Sequence, residues 1–251
     1  MATTTHPKVP MDKMRKTALV AGVLYLVTFV GSIPALPLYH DILNNPRYLL
    51  GGGSDTGVLL GGVLEVICAL AGIGTAVALY PVAKRHSETA ALGFVTARVL
   101  EASMIFVGVL SVLSLVTLHK SGVSGPDASA MVTTGRSLVA LHDWTFLFGP
   151  GIMPAVNALC IGTVMYRTRL VPRIMPTIGL IGAPMLLASS TATLFGVYGQ
   201  ISPWSFFLTL PIAAWEFSFG VWMAVKGFKP AAVADLPTFT TTSSAPISVA
   251  V

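Results

Sequence analysis

Charged side chains are scarce in this sequence. Asp, Glu, Lys and Arg make up only 10% of 251 residues, against roughly 25% in an ordinary soluble domain. With a mean hydropathy of +0.78, the chain cannot coat a water-facing surface with polar groups, which excludes a soluble globular fold. Cysteine is scarce too. Cys68 and Cys160 both lie inside apolar runs, where a free thiol is a small packing residue, so no disulfide or metal pair is expected. The P-loop, dinucleotide, H-E-x-x-H and G-x-S-x-G signatures are missing. The five histidines are scattered, so neither a metal nor another cofactor is expected.

What the chain does have is apolar length. Six runs of about 20–25 residues are each long enough to cross a bilayer as a helix. They fall at about 17–39, 57–82, 89–118, 137–166, 174–198 and 203–226. The expected fold class is all-α: a polytopic membrane bundle of about six transmembrane helices over residues 17–228, with the lipid bilayer as its solvent. Residues 1–16 read as a polar, basic cytoplasmic segment, and 229–251, rich in Thr, Ser, Ala and Pro, as a disordered cytoplasmic tail. The first apolar run exceeds a signal-peptide core of roughly 7–15 residues and no small-x-small cleavage site follows, so a retained helix is expected. Pro34 and Pro37 should kink or end its outer part. A polar loop of about twenty residues around Gly122, Gly125 and Pro126 should separate spans three and four.

The net charge is +5, but its distribution speaks for topology and against nucleic acid. With the N-terminus inside, the inner segments hold eleven basic residues: Lys8, Lys13, Arg15, Lys16, Lys84, Arg85, Arg167, Arg169, Arg173, Lys226 and Lys229. The outer segments hold Arg47, Lys120 and Arg136. That bias predicts both termini on the cytoplasmic side of the cell membrane.

Four ionisable residues lie deep in the predicted spans: Glu65, Arg98, Glu101 and Glu216. Each costs roughly 2.5–3.5 kcal/mol at a helix centre on insertion scales, so each is expected to face the bundle interior and find a partner. Helical spacing agrees. Glu65 lies on a stripe of Gly57, Gly61, Cys68 and Gly72, and Glu216 on one of Thr209, Ala213, Gly220 and Ala224. Arg98 and Glu101 are one turn apart. Arginine stays protonated when buried, so Arg98 should pair with Glu101 or Glu216. Three ionised glutamates around one cation would leave charge uncompensated, so one carboxyl is expected to hold a proton. Glu65 is the candidate, offset in depth from Arg98. His142, near the outer end of span four, is expected to share an interior side with Glu65. Asn157 and Ser189–Thr191 are expected only to hydrogen-bond within or between helices.

The order of Ala21-Gly22-Val23-Leu24-Tyr25, Arg98-Val99-Leu100-Glu101, Leu141-His142, Tyr166-Arg167, Val171-Pro172-Arg173, Trp215-Glu216 and Val225-Lys226-Gly227 resembles a family of bacterial membrane proteins catalogued as domain of unknown function 4386. The resemblance spans Lys16 to Gly227 and implies a six-to-seven-helix membrane fold, with no activity to carry over.

The residues themselves suggest three functions. The first is a small proton-linked transporter or permease with a small-molecule substrate, built on the buried acids and the outer histidine. The second is an intramembrane enzyme acting on a lipid or isoprenoid, with Glu65 or Glu216 as general acid. The third is a structural or partner-binding subunit in which Arg98, Glu101 and Glu216 only fix helix register. The topology has a direct test. Reporter fusions after His86, Arg169 and Lys229 should all read cytoplasm and fusions near Asp55 and Gly125 the outside; a cytoplasmic reading near Gly125 overturns the arrangement.

Overall fold

A backbone surrounded by apolar side chains and lipid has to satisfy its own hydrogen bonds, and a continuous helix does so within one segment. In the computed structural model, which describes residues 12–45, 48–51, 53–122 and 127–236, every regular element is helical. The long elements are α1 (Lys13–Leu38), α3 (Asp55–Ala83), α4 (Glu88–Ser121), α5 (Asp127–Phe148), α8 (Ile174–Leu194) and α9 (Pro203–Val225). Short helices α2 (His40–Asn44), α6 (Met153–Asn157), α7 (Thr163–Thr168) and α10 (Pro230–Ala234) complete the set, with a π-helical turn at Ala158–Gly162. Six segments are long and apolar enough to cross a membrane; the fourth, Ala128–Thr168, includes α5, α6, the π turn and α7.

The spans close into a ring. α1 packs on α3, α3 on α4, α4 on α5 and α6, α6 and the π turn on α8, α8 on α9, and α9 back on α1. Two apolar cores fill the ends of the ring. At the near end, which carries both described chain ends, Tyr25, Leu79, Phe94, Met165, Phe219 and Met223 pack together. At the far end, Tyr39, Ile42, Tyr48, Leu115, Val116 and Met131 form a second core under α2 and the turn at Tyr48–Leu50.

The seam between α1 and α9 brings two helix backbones into close contact. A side chain at Gly22 would put its Cβ 2.3 Å from the Ala224 nitrogen and 2.7 Å from the Gly220 oxygen. Both are backbone atoms that cannot step aside. Arg15 then closes the seam. Its guanidinium donates to the Met223, Ala224 and Val225 carbonyls at 3.0, 2.7 and 3.0 Å, satisfying acceptors that the end of α9 leaves open and placing a cation at the negative end of its dipole.

Four expectations need correcting. Helix α1 begins at Lys13, so residues 13–16 belong to the bundle. It also runs through Pro34 and Pro37 to Leu38. Those prolines leave the carbonyls of Val30 and Ile33 without their usual helical donors but do not end the helix. The polar loop before span four is short, because α5 already begins at Asp127. That span instead breaks at residues 149–152, where Gly149, Pro150 and Gly151 interrupt the ladder and Ser190 donates to the Gly151 carbonyl at 2.6 Å. Finally, the start of the tail is ordered. The Lys229 amide bonds the Leu170 carbonyl at 2.9 Å, α10 follows, and Ala232 and Leu236 join the near-end core. The basic segment up to residue 11, Arg47, the loop at 123–126 and the tail from 237 lie outside the described residues.

The packing at Gly22 can be tested against an open position. Gly22→Val is expected to lower the unfolding free energy by about 1–3 kcal/mol, read by detergent titration of the purified chain. Gly199→Ala, with no atom within 4 Å of the new carbon, should leave it unchanged.

Candidate functional site

Between the two cores the ring is not filled. A cavity of about 230 Å³ receives residues from all six spans. It is larger than the roughly 150 Å³ apolar cavity that holds benzene. Phe29, Ile33, Ile105, Phe146, Leu186 and Ile212 give it an apolar wall. Thr28, Ser32 and Thr209 add hydroxyls, and Glu65, Arg98, Glu101 and Glu216 add charge. The strongly exposed lining residues, Ser32, Ile33 and Leu36, all belong to the last third of α1. Ile33 is 59% and Leu36 49% exposed, so the cavity meets its surroundings beside the stretch of α1 that carries the two prolines.

The near-end wall of the cavity is an ion-pair triad. Arg98, only 3% exposed, donates from Nη1 to Glu101 Oε2 at 3.0 Å and from Nη2 to Glu216 Oε1 at 2.6 Å. The first bond lies within α4; the second crosses to α9. Asn157, the last residue before the π turn, donates from Nδ2 to the same Glu101 oxygen at 2.7 Å. Because a carboxylate only accepts, the amide nitrogen must face it. The guanidinium carbon lies 5.1 Å from the Tyr25 ring centre and 5.7 Å from that of Phe94, a placement that adds cation–π attraction. Tyr25 in turn packs edge-on against Phe219 at 5.2 Å. The triad therefore rests on the aromatic side of the near-end core.

Glu65 is different. It lines the same cavity but forms no ion pair among the described residues. Beside it sits the Tyr39 hydroxyl, buried and beyond hydrogen-bond geometry. His142 does not line the main cavity. It borders a small niche of about 10 Å³ that shares Glu65, Ile105, Phe146 and Pro150 with it. The imidazole packs edge-on against Tyr39 at 5.8 Å, and its Nδ1 lies 3.3 Å from Asp143 Oδ1. His142 is 7% exposed, whereas the Asp143 side chain is 55% exposed. An exposed carboxylate, a buried imidazole and a half-buried carboxyl thus follow one another from the surface to the cavity.

The structure thus brings Glu65, Arg98, Glu101 and Glu216 to one cavity and sets His142 next door. Sequence reasoning missed the places of Tyr25 and Tyr39. Asn157 bonds Glu101 across to α4, the helix-to-helix hydrogen bond expected of it. Also missed was a polar latch at the far end. Tyr48 donates to Asp55 Oδ1 at 2.5 Å, and His119 Nδ1 lies 2.8 Å from the same oxygen. Burial and that bond to a carboxylate push the Tyr48 phenol above its ordinary value. Among the described residues, no group of three or more His, Cys, Asp or Glu is placed to hold a metal.

Removing the cation strands two acids. Arg98→Met is expected to cost about 3–5 kcal/mol by the measure of soluble proteins, and less where polar groups find other partners in the membrane. Adding Glu216→Gln should recover part of that loss in the same unfolding titration. Simply additive losses would mean that the pair does not interact.

Compared with known families, residues 20–227 match the one described as domain of unknown function (DUF4386). No curated protein and no solved structure matches the chain.

Proposed function

The chain belongs to the DUF4386 family, and on that premise we propose that it is a small proton-linked transporter of the cell membrane, with both termini in the cytoplasm. The observation that carries this reading is the pairing of two unlike kinds of acid in one cavity. Glu101 and Glu216 are tied to Arg98, and a carboxylate held by a guanidinium is a poor proton carrier. Glu65 has no such tie and faces the space where a solute would sit. The polar groups around it are Tyr39 and His142, with the Arg98 triad farther along the same cavity and the Cys68 thiol on its own helix. Asp143 and His142 offer a route by which a proton reaches Glu65 from the far end. Towards the near end, the packed rings of Tyr25, Phe94 and Phe219 offer none.

A second reading is favoured by the exposed rim at Ile33 and Leu36: an intramembrane enzyme that admits a lipid or isoprenoid sideways. In that case Glu65 is the general acid, since Glu216 is engaged with Arg98. A purely structural role fits less well, because a scaffold gains nothing from an unfilled centre lined by acids.

The two readings separate in proteoliposomes. With an entrapped pH indicator and an imposed pH gradient, small cationic, neutral and anionic aromatic solutes are offered in turn. At least one should produce a coupled proton flux in the wild type. Glu65→Gln should abolish it while keeping the fold, because Gln reproduces the shape of a protonated carboxyl. A flux insensitive to the gradient and to Glu65→Gln removes the transport reading. Conversion of an isoprenoid lipid by the wild type, lost in the same variant, establishes the enzyme in its place.

A further inference from the structure

We infer that the cavity takes an amphiphilic organic cation, an ammonium group on a small aromatic or branched apolar body. This deepens the transport reading and rests on it for the role of the site. The first ground is charge. Three carboxyls and one guanidinium face the cavity, and that guanidinium already spends two donors on Glu101 and Glu216. An anionic solute would meet acids on two sides and an arginine already engaged. A neutral solute would leave the excess of acid unanswered. A monovalent cation beside Glu65 offsets the charge of that carboxylate.

The second ground is independent of the carboxyls. Among the described residues, four buried polar atoms near the cavity lack hydrogen-bond partners: the Tyr25 and Tyr39 hydroxyls, Arg98 Nε, and Asn157 Oδ1 next to Glu101. Tyr39 is 2% and Asn157 1% exposed. Of these, Asn157 Oδ1 can only accept, and an unanswered acceptor in an apolar interior favours a neighbouring group that brings positive charge or N–H groups. The third ground is the wall. Phe29 and Phe146 line the cavity, and the face of an aromatic ring attracts a cation, more strongly where water is excluded. The fourth is size and access. About 230 Å³ suits a body somewhat larger than benzene, and the rim of Ser32, Ile33 and Leu36 admits the apolar end from the side.

When the cation enters, the Glu65 proton leaves towards His142 and Asp143, so that the charge of the cavity is the same before and after. Exchange of a cation for a proton leaves the cavity with the same single net negative charge in both states, so that no further charge is stranded in a low dielectric.

The probe is benzyltrimethylammonium, whose charge does not depend on pH. Binding to the full chain in detergent is measured by titration calorimetry beside benzyl alcohol and benzenesulfonate, neutral and anionic compounds of similar body. The cation is expected to bind about tenfold or more tightly than either, and Glu65→Gln to remove most of that advantage. Equal or tighter binding of benzyl alcohol or benzenesulfonate to the wild type overturns the inference, and this comparison needs no variant to fold. Cation-selective binding without any proton-coupled flux leaves the ligand class standing and removes the transport reading. Coupled flux of the neutral or anionic compound, without preference for the cation, does the reverse.

Discussion

The bond from Arg98 to Glu216 is the constraint on which the interior depends. In the ring of spans, α4 and α9 stand on opposite sides, each separated from the other by two neighbours whichever way the ring is followed. A guanidinium buried in apolar surroundings has to find ionised partners. One is a turn away on its own helix; the other lies across the bundle. A bridge of that length holds two opposite walls at a fixed separation. The space beside it is bounded by Glu65, Phe29 and Ile105 rather than closed by packing. The cavity and the triad are therefore two aspects of the same geometry.

The two ends of the molecule are built from different materials. Near the chain ends, rings of Tyr25, Phe94, Trp215 and Phe219 interlock below the triad, with Trp215 stacked on Phe219 at 4.7 Å. Towards the far end, the cavity borders hydroxyls and a helix with two internal prolines, and an imidazole lines the niche next to it. One side excludes water and ions by packing; the other offers groups that can hand on a proton or rearrange their hydrogen bonds. Such asymmetry gives a site a direction.

Helical spacing alone was enough to put Glu65, Arg98, Glu101 and Glu216 on inward faces, because residues three and four apart share a side whatever the tertiary context. It could not decide whether Arg98 would choose Glu101 or Glu216, since that depends on where the sixth span sits in the ring; the side chain takes both. His142 was harder to place. Its depth depends on where α5 begins and on the redirection at Gly149–Ile152, and the loop signals before residue 127 concealed how early the helix starts. The prolines of α1 do not break it where they stand for a related reason: a proline removes one bond, and a helix packed against α3 and α9 survives the loss until it ends at Leu38. Tyr39 acquires its meaning only from residues far away in the chain, so no local pattern announces it.

The seam between α1 and α9 also bears on how the chain is assembled. Arg15 and Gly22 are finished early in synthesis, yet the carbonyls and the close backbone they meet belong to residues 220–225. Until the last helix arrives, the glycine face of the first has no companion. Arg98 waits likewise for Glu216. The docking of the sixth span therefore closes the ring, gives Arg98 its second carboxylate and seals the near end together.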